Sequence, residues 1–378
     1  MKKKLDLLLI ILGLLLIIIG INFEHIIVPP AKLVDSTITI KLSFVGDLMC
    51  HSPQFNSAKI GKDSFDFKPA FRFVKRYLEN SDATFGNFET VTAGSKQRFT
   101  GYPNFNSPEE YLEGLKFAGF DILFTSNNHS MDRRKKGVIT TIESINKFGM
   151  IPIGTYISQI DRDSIRIVEI KGCKLGLQAY SYGLNGNKPP KKENYLVNII
   201  DTNLIRSDIN KMKIRKPDLI IIYFHFGEEY SRKPSTFQKE IVSKTFSYGA
   251  DIIVASHPHV VQSIEFNQNT TGKLRIGLVA YSLGNFYSNQ QWRYSDAGTI
   301  LNLELVKNIH KDSLWISNVS ILPTWVYRGN TGNKIESVIL PSDTSLIKPL
   351  PEFLKKDDIT KINQAFEDTR KMLGTKSD

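Results

Sequence analysis

Five short polar strings interrupt the apolar runs of this chain: Gly46-Asp47, GNFE at Gly86–Glu89, Asn127-Asn128-His129, His225-Phe226-Gly227, and Ser256-His257-Pro258-His259. Most of them follow an apolar, β-branched run, which places each at the end of a strand. Asp, Glu, Asn and His delivered by five strand ends predict one polar site assembled by folding. Hard carboxylate and amide oxygens beside imidazoles suit divalent Mn, Fe or Zn, two of them in a hydrolytic centre.

Each residue also has a plainer reading. Asp47 after a glycine is a metal ligand or a helix N-cap. Glu89 bridges two cations or is a loop carboxylate in water. Asn128 offers a hard amide oxygen, and His129 beside it a proton for a leaving oxygen. Asp132 would hold that imidazole through its other nitrogen. The alternative is an Asn-rich turn with Asp132 capping the helix near Lys136. His225 is a ligand or a hydrogen-bonded core histidine. His257 and His259 straddle Pro258, and alternate residues of an extended segment point to the same side, toward one metal pair. Cys50, close by, reads as a small buried residue at a strand exit.

The elements that position these groups follow from periodicity. Strands are expected at Ile38–Val45, Ala83–Phe85, Asp121–Thr125, Asp218–Phe224, Asp251–Ala255 and Leu274–Ala280. Ile165–Ile170 and Lys174–Tyr180 flank Gly172 as a hairpin, and Gly298–Val326 is wholly β. Helices are expected at Pro69–Asn80, Pro108–Phe117, Lys136–Phe148, Thr236–Tyr248 and Phe353–Met372. Strands alternate with helices first and then dominate, which predicts a layered α/β sandwich with its polar loops at the carboxyl ends of the strands.

Composition narrows the function classes. Charged residues at 23% and hydrophobic residues at 41% make the chain globular rather than disordered. The net charge is +11, of which the first 22 residues carry +2. That excess suits an anionic polymer, a phosphorylated substrate or an acidic membrane surface, and equally a solvated lysine-rich surface. No helix-turn-helix, zinc-finger or RNA-binding signature is visible, so nucleic acid is not expected as a partner. Two cysteines without a CxxC exclude a disulfide framework. Lys2, Lys3 and Lys4 precede fifteen residues, Leu7–Ile21, with no polar side chain. Leu5–Phe23 as a helix is about 28 Å long, near the hydrocarbon thickness. The lysines predict a cytoplasmic N-terminus and a single-pass, uncleaved anchor, with the main part extracytoplasmic. A cleaved signal peptide is the rival, but INFEHIIVPPAK offers no good cleavage site. The expected organisation is an anchor over 1–23, a linker over 24–37, a main domain over 38–341 and a helical tail over 342–378.

The ordered strings VGDLM, GNFE, GFDILFTSNNHSMD, FHFGEEY, Pro234-x3-Gln238, GADIIVASHPHVVQ and YSLGNF, from about Ile38 to about Phe286, resemble the capsule-synthesis CapA family. That family includes poly-γ-glutamate synthesis members and falls in the calcineurin-like metallophosphoesterase superfamily. The resemblance implies an α/β/β/α sandwich and a membrane-anchored role in capsule or poly-γ-glutamate biosynthesis, beside polymer ligase and export subunits. By resemblance Asp47 and His259 take the first metal, Glu89 bridges, Asn128, His225 and His257 take the second, and His129 is the proton donor. The superfamily Asp-x-His is here Asp47-Leu48-Met49, leaving a first-metal histidine to be supplied, if at all, by His51. Gly-His-His-Pro-His is here Ala255–His259, and the GDxxD block is replaced by Asn87-Phe88-Glu89. Two roles stay open: a metal-dependent hydrolase or transferase on an anionic surface polymer or its precursor, and a non-catalytic subunit that binds, exports or anchors the polymer.

Overall fold

The computed structural model of the protein describes residues 37–268, 271–332 and 334–374. The expected anchor over 1–23 and nearly all of the linker lie outside the described residues. Among those residues no helix is long and apolar enough to cross a membrane.

The chain lays down β1 (Thr37–Leu48), β2 (Ala83–Phe88), β3 (Ile122–Phe124) and β4 (Ile151–Ile153) as parallel neighbours. It then builds a second sheet from β5 (Arg166–Ile170), β6 (Cys173–Ser181), β7 (Leu219–His225), β8 (Ile252–Ser256), β9 (Ile264–Gln268) and β10 (Ile276–Ala280). There β6, β7, β8 and β10 run parallel, and β5 and β9 close the edges antiparallel. The chain returns to the first sheet with β11 (Asn285–Tyr287), β12 (Ala297–Asn308), β13 (Ser313–Asn330) and β14 (Ile335–Pro341). The result is two mixed sheets of eight and six strands.

Alternation within the strands explains how they stack. Ile40, Leu42 and Phe44 of β1 join Leu175, Leu177, Ile221, Tyr223, Ile252 and Val254 of the second sheet in one buried cluster. Val45 and Leu48 turn the other way, against the helices Glu110–Ala118 and Arg134–Lys147. Ile220, Ile222 and Phe224 of β7 pack under the helices Thr202–Ile214 and Thr236–Tyr248. The order of layers is therefore helix, sheet, sheet, helix. The C-terminal helix Lys356–Leu373 buries Ile362 and Ala365 on Trp325, Tyr327, Val338 and Leu340 of the first sheet.

Several elements differ from the sequence reading. The single helix expected over Pro69–Asn80 is a 3-10 segment, Lys68–Phe71, followed by a short helix, Lys75–Leu78. Hydrogen bonds from Val74 to Phe71 and from Tyr77 to Val74 span three residues, and the apolar spacing Phe71, Val74, Tyr77 fits that tighter winding. The helices Ser52–Ala58 and Thr202–Ile214 and strands β9 and β11 are not among the expected elements, although Asp201 as N-cap and Ile205, Ile209 and Met212 at helical spacing mark the second of these helices.

The site depends on one close backbone approach. Asp47 N–H donates to Gly284 O at 2.9 Å, and a Cβ on Gly46 would lie 1.8 Å from that same oxygen. Only glycine allows β1 to pass Gly284, and this contact sets Asp47 opposite Asn285. Gly46→Ala should therefore lower stability by about 3 kcal/mol, measured by urea denaturation. An unchanged midpoint would show that this approach does not constrain the strands.

Candidate metal centre

Parallel register puts the polar residues together. Asp47 at the end of β1 pairs with Asn87 on β2 and with Asn285 on β11. Asn87 Nδ2 lies 2.8 Å from Asp47 Oδ1, 3.2 Å from Glu89 Oε2 and 3.2 Å from His225 Nδ1. His225, at the end of β7, brings Nε2 to 3.0 Å from Asn128 Oδ1 and 3.5 Å from Glu89 Oε1. His259 Nδ1 is 3.0 Å from Asp47 Oδ2 and 3.1 Å from Asn285 Oδ1, with Nε2 3.9 Å from Glu89 Oε1. The His257 ring lies 4.7 Å from that of His225 and 5.9 Å from that of His259. Asp47, Glu89, Asn128, His225, His257 and His259 are all buried. Asp47 and Glu89 are thus neither a helix cap nor a solvated loop carboxylate.

Two sets of ligand atoms are close enough to share a cation each: Asp47, Glu89 and His259, and Glu89, His225 and His257. They have Glu89 in common. A third set joins the exposed Glu229 to His257 and His259. Among the described residues, buried Glu89 Oε1 and His257 Nδ1 have no hydrogen-bond partner. Buried polar atoms without partners are costly, and both would be satisfied by a cation. The donor set of imidazole, carboxylate and amide oxygen fits Mn, Fe or Zn.

Electrostatics point the same way. Burial, then the charge of Asp47, push the Glu89 carboxyl well above its ordinary range. Burial also pushes Asp47 up, but the hydrogen bond and charge of His259 outweigh it and leave Asp47 low. Burial and neighbouring imidazoles hold His225 far below its ordinary value and His257 down to about 3. Neutral imidazoles facing carboxylates are the ligand forms that a divalent ion needs.

His129 and Asp132 form a buried pair, with Nδ1 2.8 Å from Asp132 Oδ2. Phe105 N–H donates to the same oxygen at 2.7 Å. Asp132 does not cap the following helix, whose N-cap is Arg133. Among the described residues the hydrogen-bond neighbour of His129 Nε2 is Asn185 Nδ2, at 3.5 Å. The Phe105 ring stands edge-on to the imidazole at 4.7 Å.

The extended geometry expected for His257–His259 is not found. Both residues take positive φ, 110° and 57°. The imidazoles converge through a sharp left-handed turn, sparsely populated for residues with a Cβ. Tyr230 N–H donates to Pro258 O at 2.7 Å, and Asn285 Nδ2 to His259 O at 3.3 Å, holding that turn. His51 lies outside the three ligand sets; its Nδ1 faces Gln54 Oε1 and Asn289 N–H. Cys50 is buried beside Ser107, and burial pushes its thiol up to about 12. Pro234-x3-Gln238 has a structural role. Ser235 and Gln238 form a capping box, Gln238 Nε2 donates to Gln262 Oε1 at 3.0 Å, and Gln262 Nε2 donates to Ser231 O at 2.7 Å, tying the Glu229 loop to the segment after the histidines. Sequence reasoning assigned no role to Asn87, Asn285 or Glu229. All three lie inside the quoted strings, but only strand register reveals that the two amides flank Asp47.

A family described as "Bacterial capsule synthesis protein PGA_cap" matches residues 41–290, which include every candidate residue above. The "Capsule biosynthesis protein CapA" of Bacillus anthracis is 28% identical over 278 residues, covering 71% of this chain and 64% of that protein. The "PGA biosynthesis protein CapA" of Bacillus subtilis (strain 168) is 27% identical over 274 residues, 71% of this chain and 68% of that protein. The chain thus spans just under two thirds of the first relative. Among solved structures, calcineurin-like phosphoesterase YfkN from Bacillus subtilis superposes at TM-score 0.41 and 13% identity, over 89% of this chain and 98% of that one. That likeness is too loose to carry an argument.

Protonation of the metal-free site should be visible in stability. Glu89 has a folded pKa above its ordinary 4.5, so the stability it contributes is present at low pH and is lost as pH rises. For His257 the sign is opposite: stability falls as pH drops from about 6.5 toward about 3. In chelator at neutral pH, Glu89→Gln should therefore melt no lower than wild type. With Mn or Zn at about a hundredfold excess over Kd, wild type should gain about 5 °C or more and Glu89→Gln far less. Equal gains in both proteins, read by thermal melts, would remove Glu89 from the metal site.

Proposed function

The chain belongs to the bacterial capsule synthesis family PGA_cap, and from that premise we propose a membrane-anchored enzyme of capsule or poly-γ-glutamate biosynthesis, a metal-dependent hydrolase or transferase. Its substrate is an anionic surface polymer, poly-γ-glutamate or a capsular polysaccharide, or the precursor of one. The observation that carries this reading is the pair of ligand sets that share buried Glu89.

Asp47, Glu89 and His259 would hold one ion, and Glu89, Asn128, His225 and His257 the other. Bound divalent ions supply positive charge where negative charge develops on phosphorus or carbonyl oxygens. The chain's own residues do the rest. His129 Nδ1 is committed to Asp132, whose carboxylate fixes the ring. That leaves Nε2 to give a proton to a leaving oxygen and later recover it. Phe105 packs edge-on and keeps the imidazole from turning. Asn87 spans Asp47 and Glu89 through one amide, which lowers the cost of keeping two carboxylates side by side.

The second reading is a polyanion-binding subunit for export or anchoring, beside polymer ligase and channel proteins. The overall charge of +11 favours it as much as the first. Buried ligands favour the first, since a binding surface has no need of imidazoles withdrawn from solvent.

His129→Asn separates the two. In the catalytic reading it lowers turnover on a phosphodiester by about 10²–10⁴ with metal content unchanged. His257→Asn should lose metal as well. Full restoration of capsule by His129→Asn in a deletion strain would instead support the binding subunit.

The anchor proposal has its own check. N-terminal sequencing of the membrane-extracted protein should return the intact start of the chain. A mature chain beginning near Phe23 or Ala31 would show cleavage.

A further inference from the structure

We propose that Asn185 is a substrate-binding residue of the metal centre: its side-chain amide and His129 Nε2 form a pair of donors that hold the leaving oxygen of the substrate. This rests on the catalytic reading of the same site. Asn185 is an exposed residue in the loop that follows β6. Asn187 N–H donates to Leu184 O at 2.8 Å, and Asn185 and Gly186 between them take φ of 48° and 74°. Two left-handed residues in succession suit a type I′ turn, for which Asn-Gly is a favoured pair. The turn explains why an asparagine stands here. It does not set what the side chain meets.

That side chain turns into the site. Asn185 Oδ1 accepts from Asn128 Nδ2 at 3.3 Å, and Asn185 Nδ2 faces His129 Nε2 at 3.5 Å. Asn128 in turn presents Oδ1 to His225 Nε2 at 3.0 Å. An amide has one accepting end and one donating end, so the orientation of Asn128 dictates that of Asn185. A cation held by Asn128 Oδ1 would keep the same order, because Nδ2 would still be the end toward Asn185. The loop itself is anchored on both sides of the site. Tyr182 N–H donates to His225 O at 2.9 Å, and the Tyr182 ring lies 4.5 Å from that of His257. Leu184 is buried in one cluster with Met131, Val138 and Ile142, which ties Asn185 to the segment that carries His129.

The spacing fits a shared oxygen. At 3.5 Å the two nitrogens are too far apart for a strong bond to each other. One oxygen can lie at about 2.9 Å from both. Asn185 would then hold the oxygen to which His129 gives its proton. A donor aimed at an oxygen that gains charge during the reaction lowers the barrier more than it tightens binding. Two other polar groups beside His129 are already committed: Asp132 faces its Nδ1, and Asn127 Oδ1 accepts its backbone N–H. An exposed amide at the mouth of a buried centre is placed to meet substrate.

The test uses the full-length protein in detergent, loaded with manganese, on two phosphodiesters: one releases para-nitrophenolate and the other the more basic phenolate. Asn185→Gly keeps the turn and removes the donor. It should lower kcat by about tenfold or more on the phenyl ester and by less than about threefold on the nitrophenyl ester. KM, metal content and melting temperature should stay close to those of wild type. Asn185→Asp, which accepts where asparagine donates, should lose as much kcat on the phenyl ester. Equal losses on both esters, or a loss that follows metal content or melting, would reduce Asn185 to a turn residue and overturn the proposal. An unchanged kcat in both variants would overturn it too, and would leave the catalytic reading standing. Wild type without metal-dependent turnover would remove the catalytic reading, and the proposal with it.

Discussion

Two carboxylates, Asp47 and Glu89, are buried side by side, bridged by the Asn87 amide and faced by three imidazoles, two of which, His225 and His257, burial and neighbouring imidazoles disfavour as cations. Without a positive ion, burial and the neighbouring charge of Asp47 favour a proton retained on Glu89. The remainder of the fold serves to hold these groups against that cost. Two sheets meet across a largely apolar layer, and the polar carboxyl ends of β1, β2, β7 and β8 gather at one rim. The parallel register of β2, β1 and β11 then sets Asn87 and Asn285 on either side of Asp47, Asn87 bonding it directly and Asn285 through His259.

The loops add what strands cannot. A left-handed turn aims both His257 and His259 inward, a conformation that costs about 1–3 kcal/mol per residue and persists because neighbouring backbone and amide groups over-determine it. The loop after β3 carries Asn128 toward His225 and His129 toward Asp132, so that one segment reaches both the buried cluster and the His129–Asp132 pair. Three consecutive residues, Asn127 to His129, thus join the His225 side of the cluster to the His129–Asp132 pair. Asn127 itself anchors the loop, donating to Phe88 O at 2.8 Å.

Much of this was legible in the sequence because each polar string interrupts an apolar run, and a hydrophobic strand must end where its side chains meet a polar rim. Asp47, Glu89, Asn128, His225, His257 and His259 do come together, and Asp132 reaches His129. What was hidden depends on contacts distant in sequence. Asn87 and Asn285 matter only through their pairing with Asp47. Glu229 follows a second glutamate, and nothing local distinguishes the two. The turn at His257 was invisible because proline normally favours extended neighbours. The break in the expected helix over Pro69–Asn80 was also hidden, since apolar spacings of three and four read alike over so short a stretch.

The central claim is that Glu89 lies between two cations. Crystals of the protein grown with manganese and measured at its absorption edge test this most directly. Two anomalous peaks should flank the Glu89 carboxylate, one against Asp47 and His259 and the other against His225 and His257. A map with no peak within ligand distance of Glu89, under conditions where manganese is present in excess, would contradict the account.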